Sequence, residues 1–125
     1  STLSLMKGEG VFKMAMAVAP VTNWRYYDNI YTERFLQTPR ENPQGYDNNS
    51  PITHAGKLNG KYLIVHGTAD DNVHFQNAMD LVNALNVAGK QYEQFFYPNK
   101  NHFIMGGNTR LHLYIKLTDF ILKNL

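Results

Sequence analysis

The stretch that decides the fold is Lys61 to Phe75, which reads KYLIVHGTADDNVHF. Its first part, Tyr62 to Val65, is a short continuous apolar run, typical of a strand buried on both faces of a parallel sheet. Small and polar residues from His66 to Asn72 interrupt the run, and a helical pattern follows. Because open α/β sheets bind ligands outside the carboxyl ends of their strands, this stretch also indicates where a functional site lies.

The composition is that of a globular domain. The chain has 125 residues, 43% of them hydrophobic, a net charge of +2 and no cysteine. Charges of both signs are mixed along it, so neither a nucleic-acid stripe nor a membrane-binding patch is predicted. No apolar run approaches the ~20 residues of a transmembrane helix. The lack of cysteine excludes disulfides, thiolate zinc sites and cysteine nucleophiles.

The amino terminus indicates a fragment. It reads STLSLMKGEG, without an initiator Met or the apolar core of a signal peptide, and it begins within a helical pattern. The length is short for a complete α/β enzyme. We therefore expect residues 1–125 to be a single partial domain, with further structure upstream.

Strands and helices alternate along the chain. Helical patterns cover Ser1 to Lys7, Asn23 to Leu36, Phe75 to Ala88 and the segment that Asn108 or Thr109 would cap; strand patterns cover Val11 to Pro20, Tyr62 to Val65 and Gln91 to Tyr97; and Gln37 to Pro51 reads as a loop. This alternation predicts an α/β fold, with three parallel strands and four flanking helices. The first strand would leave an unpaired sheet edge.

An acid and a histidine follow neighbouring strands. Asp70 leaves the middle strand, and His102 lies in the loop after the next one. Because the carboxyl ends of parallel strands meet at one edge, we expect the two side chains to lie close together. A carboxylate beside an imidazole fixes its tautomer and stabilises the imidazolium, and the order acid then histidine is that of α/β-hydrolases. The nucleophile pattern G-x-S-x-G is absent from the sequence.

Each of these residues also has a simpler interpretation. Asp70 and Asp71 precede a helix, where aspartate is a favoured cap; capping is the better reading for Asp71 and has even odds for Asp70. A lone loop histidine such as His102 is more often solvated than catalytic. The spacing of His66 and His74 does not suit a metal site. Surface or packing roles are expected for His54, His74 and His112.

Three segments resemble one protein family. They are His66 to Phe75 (HGTADDNVHF), Ala19 to Phe35 (APVTNWRYYDNIYTERF) and the GxGVFK run from Gly8 to Lys13. Together they resemble the prolyl oligopeptidase family of serine peptidases, in its dipeptidyl peptidase IV subgroup. The resemblance implies the carboxyl-terminal half of an α/β-hydrolase domain, with the nucleophile elbow and a β-propeller missing upstream.

The resemblance also implies roles for individual residues. Asp70 would be the triad acid and His102 the base, which leaves Asp71 as a cap or structural acid. Asn72 would hydrogen-bond the substrate carbonyl, and Arg34 would brace the aromatic wall through a charged partner. The S1 pocket for proline would be lined by Val21, Trp24, Tyr27, Tyr31 and Val73. One departure from the family pattern is Phe103, which follows the histidine where glycine is common.

The implied function is that of a serine exopeptidase that releases Xaa-Pro or Xaa-Ala dipeptides from peptide amino termini, with no cofactor and no metal. The parent would be a homodimer in the periplasm, cell envelope or extracellular space, and the fragment alone would be inactive. A catalytically inactive homologue that binds peptides or partners is the alternative from another class, and an upstream serine would decide between them. A tripeptidyl or acylaminoacyl peptidase, or an esterase of the same fold, also remains open, although the wall from Trp24 to Tyr31 favours a flat proline ring.

Overall fold

Three parallel strands form the sheet of the computed structural model, which describes residues 1–125. The strands are β1 (Met14–Val18), β2 (Lys61–Gly67) and β3 (Glu93–Tyr97), and they lie in that order. In β2, every residue after Lys61 is buried. The middle strand is therefore covered on both faces, as its continuous apolar run predicts.

Helices cover both faces of the sheet, which is the predicted α/β arrangement. They are α1 (Thr2–Lys7), α2 (Asn29–Leu36), α3 (Pro43–Asn48), α4 (Gln76–Val87) and α5 (Thr109–Asn124), with 3-10 turns at Trp24–Tyr26 and Pro51–Lys57. Successive β2 side chains point to opposite faces of the sheet. Tyr62 and Ile64 pack with α1, α4 and the second 3-10 turn, whereas Leu63 and Val65 pack with α5.

The structure corrects three sequence-based boundaries. β2 continues through His66 to Gly67, two residues beyond the apolar run. The helical segment from Asn23 to Leu36 is broken, because the Asp28 side chain accepts a hydrogen bond from the Tyr31 backbone N–H and begins α2 there.

The predicted loop from Gln37 to Pro51 contains α3, so the chain has five α-helices instead of four. Its N-cap Asn42 accepts from the Gly45 N–H, and Pro43 occupies the first helical position. Both are favourable at a helix start, but three prolines in fifteen residues read as turns in the sequence.

The last helix, α5, buries Leu113 and Phe120 as its pattern predicts. Asn108 occupies the N-cap position, but its side chain makes no capping hydrogen bond there. Much of the outer surface of the helix is apolar, with Leu111, Tyr114, Ile115 and Leu122 all exposed, and the C-cap Leu125 is exposed as well. None of the helices has the length and apolar character needed to cross a membrane.

Candidate active site

The turn after β2 holds Asp70 rigidly. Its Oδ1 atom accepts hydrogen bonds from the backbone N–H groups of Asn72 at 3.0 Å and Val73 at 2.9 Å. This closed turn, in which a short side chain replaces a backbone partner, is a conformation that aspartate favours. The Asp70 side chain is fully buried, so its second oxygen, Oδ2, can face only protein groups.

The loop after β3 is fastened to this turn through its backbone. The Thr68 N–H donates to the Tyr97 carbonyl at 3.0 Å, and the Ala69 N–H donates to the Lys100 carbonyl at 3.0 Å. In the other direction, the Asn99 N–H donates to Thr68 Oγ1 at 2.9 Å. These three hydrogen bonds set the distance between the two loops that follow neighbouring strands.

The structure brings Asp70 and His102 together. His102 Nδ1 lies 2.8 Å from Asp70 Oδ2. Because a carboxylate can only accept, Nδ1 carries the hydrogen, and the lone pair of the neutral ring is therefore on Nε2. The His102 side chain is 30% exposed, whereas that of Asp70 is fully buried. An imidazole held in this way by a buried acid is equipped to accept a proton at Nε2.

Ile104 anchors the histidine loop in the core. It is 1% exposed and packs in the cluster beneath α5, although its backbone adopts a positive φ of 46°. That conformation is unfavourable for a β-branched residue, so the packing around Ile104 must offset its cost. Phe103, the departure from the family pattern, is exposed, and its ring centroid lies 6.0 Å from that of His102.

His66 is a part of the site that the sequence reasoning missed. Its side chain is fully buried, and Nε2 lies 2.7 Å from the Val73 carbonyl and 3.3 Å from Asp70 Oδ2. The pKa of His66 is lowered, because burial disfavours the charged ring. The hydrogen bond to the Val73 carbonyl and the negative charge of Asp70 raise it by smaller amounts. A histidine that directly continues an apolar strand run was the available signal, since it implies a buried titratable group.

Aromatic rings form a wall beside the acid turn. The ring centroids of Trp24 and Tyr27 are 5.8 Å apart, those of Trp24 and Tyr31 are 6.2 Å apart, and those of Tyr27 and Tyr31 are 5.5 Å apart. The Tyr27 hydroxyl donates to Asn72 Oδ1 at 2.9 Å, which connects the wall to the turn that holds Asp70. Edge-on and offset ring pairs of this kind form a rigid apolar surface.

The other two predicted pocket residues are Val21 and Val73. Val21 lines a surface cleft together with Trp24, next to the exposed edge of β1. Val73 lies in the turn that holds Asp70 and is 5% exposed. Its backbone N–H donates to Asp70 Oδ1, and its carbonyl accepts a hydrogen bond from His66 Nε2. Of the predicted S1 residues, Val73 is therefore part of the Asp70 turn, and Tyr27 is connected to it through Asn72.

A buried polar network positions the segment that carries Val21 and Trp24. Asn77, at the start of α4, accepts the Thr22 N–H at 3.0 Å through Oδ1, and its backbone carbonyl accepts the Thr22 hydroxyl at 2.7 Å. Ser50 Oγ donates to the Thr22 carbonyl. The sequence reasoning missed this network, although an asparagine on the apolar face of a helix was a visible signal.

One predicted role needs correction. Asp71 is exposed and makes no side-chain hydrogen bond, and the N-cap of α4 is Phe75, so Asp71 does not cap the helix. The turn closed by Asp70 delays the helix by several residues, which moves its start out of reach. Arg34 makes no ion pair within this chain, and its guanidinium lies 5.6 Å from the Phe35 ring centroid. The charged partner through which Arg34 would brace the aromatic wall therefore stays a prediction.

No three His, Asp or Glu side chains are grouped so that they could hold a metal ion. His54 contacts the Asn48 carbonyl, His74 is exposed, and His112 Nδ1 pairs with the Tyr97 hydroxyl at 2.7 Å. These are the surface and packing roles expected for the three histidines.

The model of the prolyl oligopeptidase family matches residues 1–125. The chain belongs to this family. It is 51% identical over 116 residues to the "Probable dipeptidyl-aminopeptidase B" of Phaeosphaeria nodorum, an alignment that covers 90% of this chain and 13% of that protein. It is also 47% identical over 115 residues to the dipeptidyl-aminopeptidase B of Aspergillus niger, covering 90% of this chain and 13% of that one.

A solved structure of the same kind carries this fold. The crystal structure of Porphyromonas gingivalis dipeptidyl peptidase 4 superimposes with a TM-score of 0.97 at 50% identity, covering 99% of this chain and 18% of that one. The α/β class predicted from the sequence and the resemblance to the dipeptidyl peptidase IV subgroup are both confirmed. The chain spans about an eighth of the length of the curated family members that it matches.

Proposed function

We propose that this chain is the carboxyl-terminal part of the catalytic domain of a serine-type dipeptidyl peptidase, which releases Xaa-Pro or Xaa-Ala dipeptides from peptide amino termini. The observation that carries the proposal is the 2.8 Å hydrogen bond between His102 Nδ1 and buried Asp70 Oδ2, beside a wall of aromatic rings. Membership of the prolyl oligopeptidase family supports it.

In the proposed mechanism, His102 is the general base and Asp70 orients it. His102 Nε2 takes the proton of a serine hydroxyl as that oxygen attacks the scissile carbonyl, and Asp70 stabilises the imidazolium that forms. The imidazolium then protonates the leaving amine, and a water molecule hydrolyses the acyl-enzyme through the same base. Ser1 and Ser50 bond backbone carbonyls, and no G-x-S-x-G pattern occurs, so the nucleophile would come from outside this segment.

The aromatic wall supports a preference for proline. A flat apolar ring is bound well by aromatic faces and edges, which Trp24, Tyr27 and Tyr31 supply. Asn72 Oδ1 accepts from the Tyr27 hydroxyl, which orients the amide so that its Nδ2 donors remain for a substrate carbonyl. Val21 and Val73 complete the apolar lining in this proposal.

The context of the parent protein is also a proposal. Its homodimer would use the apolar outer surface of α5, and its place would be the periplasm, cell envelope or extracellular space, as in the subgroup that the sequence resembles. The isolated 125 residues would lack peptidase activity.

The test uses the full-length parent protein and release of chromophore from glycyl-prolyl-p-nitroanilide. Asp70→Asn should lower turnover by about 10⁴-fold, because the amide no longer holds the required tautomer. Asp71→Asn is the matched control, since this exposed neighbour makes no side-chain hydrogen bond and its loss should leave turnover unchanged.

The other outcomes identify the alternatives. A folded parent without turnover would indicate a non-catalytic homologue, and cleavage only of longer or amino-blocked peptides would indicate a tripeptidyl or acylaminoacyl peptidase. Hydrolysis of p-nitrophenyl esters alone would indicate an esterase. Turnover by the isolated chain would contradict the proposal that another segment supplies the serine.

A further inference from the structure

His66 is an unusual residue for the inside of a sheet. It lies on the same face of β2 as Ile64, and its ring is fully buried against the edge of Phe75, with a centroid distance of 5.7 Å. A buried polar ring costs free energy unless its nitrogens are satisfied, and its Nδ1 has no hydrogen-bond partner. An apolar residue would avoid that cost, so Nε2 must have a use that offsets it.

The neighbours of Nε2 determine where its hydrogen lies. The Val73 carbonyl at 2.7 Å and Asp70 Oδ2 at 3.3 Å are both acceptors, so Nε2 carries a hydrogen, which bonds the Val73 carbonyl while Oδ2 lies close beside it. The titratable groups that face the ring are Asp70 and, beyond it, His102, while α4 presents the apolar Phe75. A second hydrogen on Nδ1 would be a buried donor without a partner, which favours the neutral ring.

The hydrogen on Nε2 connects His66 to Asp70 through Val73. Val73 donates its N–H to Asp70 Oδ1 and accepts His66 Nε2–H at its carbonyl. Oδ2 accepts a hydrogen bond from His102 in the loop at 2.8 Å and lies 3.3 Å from His66 Nε2 within the sheet. Both imidazoles therefore contact the same oxygen of the acid.

We propose that His66 is a positioning residue: its Nε2–H bonds the Val73 carbonyl, and its close approach to Asp70 Oδ2, at 3.3 Å, helps to hold that oxygen where it accepts from His102. This inference rests on the proposed function, because it assigns His66 a part in the same serine-type chemistry. His66 never touches the substrate in this role, and it does not exchange its proton during turnover.

Two substitutions of His66 distinguish the role of its Nε2–H from that of its aromatic ring. In His66→Phe the ring stays and the donor is lost, whereas in His66→Gln the side-chain amide can place an N–H near the position of Nε2. The matched controls are His74→Phe and His74→Gln, at an exposed histidine of the same region whose side chain makes no hydrogen bond. All are made in the full-length parent, with thermal unfolding recorded for each.

The readouts are kcat and KM on glycyl-prolyl-p-nitroanilide, their pH dependence, and the rate of labelling by a fluorophosphonate, which reports serine reactivity without a peptide substrate. We expect His66→Phe to lower kcat and the labelling rate by about tenfold or more, with KM nearly unchanged. His66→Gln should recover most of the loss and keep the acidic limb of the wild-type pH profile.

Several outcomes would overturn the proposal. A folded His66→Phe variant with wild-type rates would show a structural role only, and equal losses in both variants would show that the ring itself matters. Should His66→Phe fail to fold, a displaced acidic limb in His66→Gln would show that His66 titrates during catalysis. Labelling without peptide cleavage would refute the proposed substrate and leave the labelling test of His66 intact. Absence of both would refute the proposed function and this inference with it.

Discussion

Gly67, the last residue of β2, lies directly against the loop that leads to His102. An added Cβ would lie 2.8 Å from the Asn101 carbonyl oxygen and 2.9 Å from the Lys100 carbonyl carbon, and still closer to the Lys100 oxygen. Gly67 does not have a positive φ, so alanine would suit its backbone conformation, and only the facing loop opposes it. Gly67→Ala is therefore a steric wedge between β2 and the residues just before His102.

The size of the effect follows from these distances. Ordinary van der Waals contact begins at 3.4 Å, so the Asn101 carbonyl oxygen must retreat by about 0.6 Å and the Lys100 carbonyl oxygen by more. A similar displacement of His102 would stretch its 2.8 Å hydrogen bond to Asp70 towards the outer limit for such a bond. Since a misplacement of about 1 Å can cost 10²-fold in rate, we expect Gly67→Ala to lower kcat about 10- to 100-fold.

The assay is turnover of glycyl-prolyl-p-nitroanilide by the full-length parent, with thermal unfolding in parallel. Gly56→Ala is the control, because its added Cβ meets nothing within 4 Å, and it should leave both measurements unchanged. Gly67→Ala should lose little further activity in an Asp70→Asn background if it acts through the Asp70–His102 pair. Wild-type turnover by folded Gly67→Ala, or full additivity with Asp70→Asn, would refute the reasoning.

Three further predictions concern the surroundings of the pair. Tyr27→Phe removes the hydrogen bond from Tyr27 to Asn72, which is worth about 0.5–1.5 kcal/mol, so KM for the same substrate should rise by about 2- to 10-fold. Tyr92→Phe is the control, because it removes a hydroxyl that bonds Asn86 near the carboxyl end of α4, and it should leave KM unchanged. Asn77→Ala leaves the buried Thr22 N–H unpaired and should cost about 1–3 kcal/mol, seen as a lower thermal midpoint. Burial raises the pKa of Tyr62 from 10.0 to about 12, so the folded state keeps a proton that the unfolded state loses, and stability should fall between those pH values by about 3 kcal/mol. Tyr62→Phe has no ionisable hydroxyl and should not lose this stability, so the thermal midpoint of the variant should rise relative to that of the wild type between pH 10 and pH 12. A difference in midpoint that does not change with pH would contradict the raised pKa of Tyr62.

The sequence predicts the meeting of Asp70 and His102 because their placement depends on chain order alone. Two strands that are consecutive and parallel must open their carboxyl-end loops on one edge, whatever the loops contain. The same argument cannot place Arg34 or Asp71, whose contacts depend on side-chain directions within a helix and a turn. The structure accordingly corrects the predicted cap at Asp71, and the charged partner of Arg34 stays a prediction.

His66 and Asn77 could not be assigned from the sequence for a different reason. Each is polar within an apolar pattern, and the pattern indicates only that the position is buried. Which partner satisfies a buried polar group depends on the tertiary structure: His66 meets a carbonyl seven residues later, and Asn77 meets a backbone 55 residues earlier. Such exceptions to the pattern are places to expect function.

The contacts on Asp70 also explain why the site can be precise although it lies in loops. Oδ1 accepts two backbone N–H groups of the turn, and Oδ2 lies 3.3 Å from His66 Nε2 in the strand, so the acid is contacted from two directions besides His102. The histidine loop is fixed separately, by backbone bonds to Thr68 and Ala69 and by the buried side chain of Ile104. Asp70 and His102 are each positioned by other contacts. The surrounding structure therefore places them at hydrogen-bonding distance, 2.8 Å, and the hydrogen bond between them is not needed to position either residue.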